Sequence, residues 1–249
     1  PVALFSLEMG RQQRVQRLLS SRASVSSHKI RQNMLSDRDM EAIIQATNDL
    51  MGKPLFIDDT PGLTITQLRA KARRLKQSED IGVIFIDYLQ LMTGGKRIES
   101  RQQEVSDISR GVKALARELE IPVVCLSQLN RSAEQREGHR PRMSDLRESG
   151  SIEQDADVVA MLHREAYYHM NDHAWAEANE DKLSLAELII AKQRNGPTST
   201  IRLNWDNTCT RFYDWTDATP PGGTGFATVV TQSSADNPFA EDDFSDLTV

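Results

Sequence analysis

The chain has 249 residues, of which 39% are hydrophobic and 27% charged, and its formal net charge is −6. A chain of this length and composition can bury a substantial core, which excludes the fibrous and wholly disordered classes. From Phe212 onward there are seven acidic residues and no Lys or Arg, so the preceding 211 residues carry a net charge of +1. The two cysteines cannot form a disulfide scaffold, and no apolar run has the length of a membrane span or the pattern of a signal peptide. The composition therefore predicts a soluble cytoplasmic protein without a membrane partner.

Strands and helices alternate through the first half of the chain. An apolar run that ends at Glu8 predicts a strand at the start. Apolar spacing and capping residues predict helices from Arg11 to about Ala23, from Ser36 to Met51 and from Thr64 to about Leu75, with a short strand at Leu55–Ile57. The run Ile81–Met92 is rich in β-branched residues and its apolar character stops at Asp87, which predicts a buried strand that delivers one carboxylate to its end.

The second half continues the alternation and ends in a polar tail. The clearest helical periodicity predicts a helix from about Arg101 to Glu120, after a loop over 93–100. Apolar runs predict strands at Ile121–Leu126, Asp157–Leu162 and Ala186–Ala191, followed by a closing β-hairpin formed by Thr200–Trp205 and Thr210–Tyr213. From Asp217 on, Pro, Gly, Ser and acidic residues predict a linker and a disordered tail. We expect one α/β domain over 1–216 and an acidic tail over 217–249.

Polar residues follow several of these strands. Helical crossovers between strands predict a mainly parallel sheet with helices on both faces, and ligands of such sheets bind beyond the carboxyl ends of the strands. The predicted strand ends supply Glu8, Asp87, Gln128, Lys192 and Arg194. Asp87 at the end of a buried strand has the form of a Walker B residue, which helps to hold Mg²⁺ against the phosphates of a nucleotide. Two carboxylates, an amide and two cations at one edge favour phosphoryl transfer.

One part of a nucleotide site is missing from the sequence. No Gly-x-x-x-x-Gly-Lys-Ser/Thr motif (Walker A, or P-loop) occurs in the 249 residues. The glycine-rich stretch 222–225 lacks both the Lys and a preceding buried strand. The sequence therefore contains no recognisable phosphate cradle.

Five stretches, taken in order, resemble the successive motifs of the bacterial replicative DNA helicases of the DnaB family. They are Phe5–Met9, Ile86–Met92, Leu126–Arg131, Asp145–Asp157 and Lys192–Pro197. The resemblance runs through essentially all of residues 1–214. It implies a RecA-like ATPase domain that uses ATP and Mg²⁺, assembles as a homohexameric ring around single-stranded DNA and moves along it 5′ to 3′. It also implies a primase and a helicase loader as partners.

The resemblance assigns roles by motif position. Glu8 resembles the base that activates the attacking water, Asp87 the Walker B residue at the metal site, and Gln128 the sensor that links the phosphate to the DNA loop. Lys192 and Arg194 resemble the cationic pair that reaches into the neighbouring subunit's site. The family's P-loop and N-terminal helical domain are expected to precede Pro1, so the sequence predicts that this chain by itself neither binds ATP tightly nor hydrolyses it.

The polar segment 140–157 lies between two predicted strands and contains Pro141, Gly150 and three serines, which predicts a projecting loop. In a ring such a loop would face the channel and could hold phosphates without reading bases. The resemblance points to Arg147, Glu148 and Gly150 as the DNA contact.

Two other function classes remain open on the sequence alone. One is another RecA-like ATPase, such as a recombinase, which would not be expected to carry the segment from Arg147 to Asp157. The other is a non-catalytic module that binds DNA or partners, because the P-loop is missing.

Overall fold

The structure, a computed structural model, describes residues 1–94 and 100–216, apart from the side chains of residues 147–149. The acidic tail predicted over 217–249 therefore lies outside the described residues. Within the described part, the strands form two four-stranded sheets, one parallel and one antiparallel. No described helix is long and apolar enough to cross a membrane.

The parallel sheet contains the strand that ends at Asp87. Its members are β1 (Val2–Ser6), β2 (Leu55–Asp58), β3 (Val83–Asp87) and β4 (Val123–Cys125), in the spatial order β2-β1-β3-β4. β3 pairs with β1 on one side and β4 on the other, and its Ile84 and Ile86 are fully buried. The predicted buried strand is confirmed and ends at Asp87, as expected, after which the chain continues as a 3-10 turn over Leu89–Leu91.

Five helices connect these strands: α1 (Arg11–Ala23), α2 (Ser27–Gln32), α3 (Asp37–Leu50), α4 (Ile65–Glu79) and α5 (Arg101–Leu119). Crossovers between parallel strands are right-handed, so α1–α3, which lead from β1 to β2, lie on one face of the sheet. The connections through α4 and α5 run in the opposite direction across the sheet and lie on the other face. The predicted α/β fold, with helices on both faces of a parallel sheet, is confirmed.

The helix ends follow the capping signals in the sequence. Ser36 with Asp39, and Thr64 with Gln67, form reciprocal capping boxes at the starts of α3 and α4, as predicted. The core between the sheet and α4 and α5 is built from fully buried side chains of strands and helices: Phe5, Leu68, Ile84, Ile86, Ile108 and Leu115. The short helix α2 was not predicted, because six residues carry too little periodicity to reveal a helix.

The second sheet holds the remaining strands and corrects one prediction. It consists of β5 (Val158–His163), β6 (Leu185–Gln193), β7 (Ser199–Asp206) and β8 (Arg211–Asp214), all paired antiparallel in that order. The predicted hairpin between β7 and β8 is confirmed. The expectation that β5 and β6 extend the parallel sheet was wrong, because an apolar run reveals a buried strand but not its direction.

A second correction concerns the segment 140–157, which we predicted to be a loop. It contains a 3-10 helix, Met143–Ser149, followed by the helix α6 (Gly150–Asp155), and a further short helix, α7 (His173–Ala178), follows β5. Gly150 adopts helical backbone angles instead of ending the helical turn. The buried Asp145 accepts a hydrogen bond from the Arg142 amide (2.7 Å) and thereby starts the 3-10 helix. Polar composition suggested a loop because these contacts are not visible in sequence.

Candidate functional site

The carboxyl edge of the parallel sheet brings Glu8 and Asp87 together. Asp87, the last residue of β3, is in register with Ser6, the last residue of β1. The pairing continues past the strand ends, because the Leu7 amide donates to the carbonyl oxygen of Asp87 (2.8 Å). Glu8 is the next residue and is exposed. The parallel strands therefore deliver both predicted carboxylates to one edge.

The Asp87 carboxylate forms an ion pair with Arg14 of α1, and only 13% of the Asp87 side chain and 18% of the Arg14 side chain are exposed. The Arg14 Nε also donates to the hydroxyl oxygen of Ser6 (2.9 Å), which itself donates to the Met9 carbonyl oxygen (2.6 Å). Burial, and to a lesser extent the charge of Arg17, lowers the pKa of the Arg14 guanidinium, whereas Glu8 raises it.

Sequence reasoning missed Arg14, because apolar spacing locates the helix but does not show which of its polar residues contact a site. A signal was nevertheless present in the chain. A helix that follows β1 directly must start at the carboxyl edge of the sheet, so the first turns of that helix lie near any site formed there.

Gln128 reaches the same edge from β4. The Leu126 amide donates to the Ile86 carbonyl oxygen (2.9 Å), so β4 stays beside β3 up to this point. The Gln128 side chain is exposed, and its main chain contacts the side-chain amide of Gln90, which lies in the 3-10 turn after β3. Gln90 was not predicted as a site residue.

Lys192 and Arg194 do not lie at this edge, which corrects the predicted placement. The Lys192 Nζ donates to the carbonyl oxygen of Glu153 in α6 (2.6 Å). The Arg194 Nε lies 3.4 Å from an Asp157 carboxylate oxygen, and the other oxygen of Asp157 pairs with Lys113 of α5. Because α5 begins at the carboxyl edge and runs back, Lys113 lies about 18 Å along the helix from its start. Within one chain, the described contacts of the pair are therefore with α6 and with the Asp157 carboxylate beside α5, and none is with Asp87.

The residues predicted to contact DNA come after Gln128 in the sequence. Gly150 is exposed at the start of α6, whereas the side chains of Arg147 and Glu148 lie outside the described residues. The segment is anchored through the buried Asp145, which pairs with Arg136 and whose carbonyl oxygen accepts from the Asn130 amide (2.9 Å). Asn130 comes two residues after Gln128, so the segment is held directly to the chain that leaves β4.

The donor set at Asp87 fits a magnesium ion that a nucleotide helps to hold. Among the described residues, no three or more His, Cys, Asp or Glu side chains cluster as a metal site. Mg²⁺ is usually bound by one or two carboxylates together with substrate phosphates and water, so a single carboxylate on a rigid strand is sufficient. A metal at this position would have to replace Arg14 as the partner of Asp87.

The sheet order, the helices on both faces and the polar residues at the carboxyl edge define an α/β domain of the RecA-like class. Comparison with known proteins identifies the family within this class. A profile of the DnaB-like helicase C terminal domain family matches residues 1–214. The chain is 50% identical over 214 residues to the replicative DNA helicase DnaB of Leifsonia xyli subsp. xyli, covering 86% of this chain and 45% of the relative. It is 52% identical over 203 residues to that of Geobacillus stearothermophilus, covering 81% and 43%.

A solved structure of a DnaB-like replicative helicase and its interactions with primase superposes with a TM-score of 0.78 at 35% identity, covering 86% of this chain and 50% of that one. The chain belongs to the DnaB-like helicase C-terminal domain family. It spans less than half the length of these two relatives.

Proposed function

We propose that this chain is the motor domain of a replicative DNA helicase, which couples ATP hydrolysis to 5′-to-3′ movement on single-stranded DNA and separates the duplex at the replication fork. The observation that carries the proposal is the convergence of Glu8, Asp87 and Gln128 at one edge of a parallel sheet. Family membership supports the same reading.

The residues at the edge suit the steps of phosphoryl transfer. Asp87 would hold Mg²⁺, which neutralises charge on the phosphates of ATP when bound. Glu8 is exposed and would accept a proton from an attacking water, and it lies one residue from the Leu7 amide that contacts Asp87. Gln128 would sense the terminal phosphate and relay its state along the chain to the segment at Arg147.

The position of Lys192 and Arg194 supports assembly into a ring. Both side chains contact α6 and Asp157, and no contact with Asp87 is described in the same chain, so we assign them to the nucleotide site of another subunit. Cations supplied in trans stabilise the charge that develops on the transferred phosphoryl group. We therefore include a homohexamer in the proposal, with the pair completing the neighbour's site.

The remaining partners follow from the function. A motor that moves on DNA of any sequence needs phosphate contacts, and Arg147, Glu148 and Gly150 are the proposed contact with single-stranded DNA. A primase is proposed as a partner because one similar solved structure is that of a DnaB-like replicative helicase and its interactions with primase. A helicase loader is proposed because a closed ring cannot thread onto DNA without being opened.

The test is carried out in a protein of the relatives' full length that contains these residues. Asp87→Asn is expected to lower single-stranded-DNA-stimulated ATP hydrolysis by about 10²-fold or more, because the amide cannot replace the carboxylate at the metal. Asp107→Asn on the exposed face of α5 is the matched control. Equal turnover in the two variants would refute the proposed role of the site.

A further inference from the structure

The contact between Gln90 and Gln128 joins the ends of β3 and β4 beyond the last main-chain pair. The Leu89 amide donates to the Leu126 carbonyl oxygen (3.0 Å), and regular pairing of the two chains stops there. The Gln90 side chain then makes the next contacts. Its Nε2 donates to the Ser127 hydroxyl oxygen (2.9 Å) and to the Gln128 carbonyl oxygen (3.2 Å), and its Oε1 accepts from the Gln128 amide (3.2 Å).

This geometry makes the side-chain amide of Gln90 a substitute for a peptide group. A primary amide has two donor hydrogens and an acceptor oxygen, and both hydrogens and the oxygen are engaged here. The reverse orientation would set Nε2 against the Gln128 N–H and Oε1 against its carbonyl oxygen, so the two contacts to Gln128 fix the amide in one orientation. Gln90 therefore holds the Gln128 peptide at two points.

Gln90 is itself fixed from α5. The guanidinium of Arg101 donates to the Gln90 carbonyl oxygen and also pairs with Glu104. Glu104 in turn accepts from the Gly94 amide (2.6 Å), and this hydrogen bond, ahead of the one from Arg101, lowers the pKa of the Glu104 carboxyl group. The turn after β3 is thus tied to the first turn of α5, and Gln90 extends from an anchored main chain.

We propose that Gln90 is a positioning residue that makes Gln128 move together with the end of β3, so that the state of Asp87 is transmitted to the segment at Arg147. The proposal rests on the sensor role of Gln128 given under the proposed function. Contiguous contacts support it: Gln90 holds the Gln128 peptide, and the Asn130 amide two residues later donates to the carbonyl oxygen of Asp145 (2.9 Å). Among the described contacts, no other side chain joins the turn after β3 to Gln128.

The contact is tested first in this chain, by hydrogen exchange at the Gln128 amide. Gln90→Leu removes the acceptor and is expected to accelerate that exchange at least about fivefold, in line with the loss of one hydrogen bond. The Leu89 and Leu126 amides bond to main-chain oxygens and are expected to keep their rates. Gln103→Leu, which removes an exposed side-chain contact to Asp107, is the matched control. An unchanged Gln128 rate in Gln90→Leu would overturn the contact.

The coupling is tested in a protein of the relatives' full length that contains these residues. Gln90→Leu is expected to lower the DNA-stimulated kcat about tenfold, within the usual range for a coupling residue, while KM for ATP changes less than about twofold. Gln90→Asn keeps the amide but is one methylene too short to span to Gln128, and it is expected to behave as Gln90→Leu does. If Leu at this position prevents folding, Gln90→Asn carries both tests.

Two outcomes would separate the failure of this proposal from the failure of the proposed function. Faster exchange at Gln128 with DNA stimulation equal to that of the control would overturn the coupling role of Gln90 alone. Full DNA stimulation in Gln128→Ala would overturn the sensor role of Gln128, and the coupling with it. In either case, the exchange rate of the Gln128 amide shows whether Gln90 holds that amide.

Discussion

At the scale of single residues, the site depends on side chains whose partners differ in kind. Asp87 is held by a mostly buried cation, whereas Gln128 is exposed and is held through its main chain. In the proposed function, Asp87 exchanges an arginine for a metal and Gln128 responds to a phosphate, and these two roles need different supports. Ion pairing fixes a charge in place, and main-chain hydrogen bonds leave a side chain free to contact a ligand.

Arg147 is the residue whose role in DNA binding can be isolated most directly. In a protein of the relatives' full length, Arg147→Ala is expected to weaken binding of single-stranded DNA to a similar extent for all sequences. The slope of log affinity against log salt should fall by about 1, because one phosphate contact releases about one counterion. Fluorescence anisotropy over a salt series measures both quantities. Arg31→Ala on α2 is the control, and an unchanged slope or a loss confined to some sequences would contradict the role.

At the scale of secondary-structure elements, the first turn of α3 is stabilised by a carboxylate that can be titrated. A hydrogen bond from Lys29, followed by those from the amide and hydroxyl of Ser36, lowers the pKa of Asp39 to about 2. Because the pKa is lower in the folded state than in the unfolded state, the carboxylate contributes stability above its ordinary pKa. That contribution is lost as the pH falls through about 2.

The expected result is a pKa near 2 for Asp39 in a titration followed by the carboxyl carbon in NMR. The stability difference between the chain and its Asp39→Asn variant should be present near neutral pH and shrink in acid. A pKa at the ordinary value would show that the capping box does not hold the charge in solution.

The packing of α4 against α5 depends on a glycine. A Cβ at Gly111 would clash with Cγ1 of Ile65 and lie 3.0 Å from its Cδ1. Alanine favours a helix interior by about 1 kcal/mol over glycine, but overpacking costs about 1–3 kcal/mol. We expect Gly111→Ala to lower the free energy of unfolding by about 1 kcal/mol, measured by denaturant titration.

The Ile65→Ala background provides the control for this prediction. Removing the Ile65 side chain opens the space beside position 111, so Gly111→Ala should stabilise the chain there through helix propensity. A destabilising effect of equal size in both backgrounds would mean that the two helices do not meet at these residues.

At the scale of the whole molecule, the missing phosphate cradle leads to a prediction for the chain as given. Its 249 residues contain Asp87 but no P-loop motif, so the β- and γ-phosphates of ATP have no glycine-rich loop to bind. We expect no tight binding and no hydrolysis of Mg-ATP by this chain alone. Isothermal titration calorimetry is the measurement, and micromolar binding would contradict the prediction.

The proposed ring predicts that Arg194 works across a subunit boundary. In a protein of the relatives' full length, Arg194→Ala is expected to reduce ATP hydrolysis by about 10³-fold or more while nucleotide binding remains. Mixed rings of this variant with one lacking the P-loop Lys contain some interfaces where an intact P-loop faces an intact Arg194. Those rings are expected to recover part of the ATPase activity.

The mixing experiment needs proof that the two variants assemble together, for example by pull-down of differently tagged subunits. If mixed rings form and no activity returns, Arg194 acts within its own subunit or the ring requires every site at once. Either result would reject the assignment in trans.

The sequence by itself determined the elements and the identity of the residues at the carboxyl edge. The spacing of apolar residues, capping boxes and runs of β-branched residues are all local signals. They could therefore predict, with nearly correct bounds, the helices α3, α4 and α5 and the strand that ends at Asp87. Glu8, Asp87 and Gln128 could be grouped because parallel strands connected by helices must end on the same side.

Only the tertiary structure decided which residues support the site and which lie elsewhere. Strand direction in the second sheet depends on pairing between distant segments, so the position of Lys192 and Arg194 could not be derived from their apolar strand. The contacts of Arg14 with Asp87 and of Gln90 with Gln128 join residues far apart along the chain. Such contacts leave no periodic pattern, because they arise only when packing has brought the two segments together.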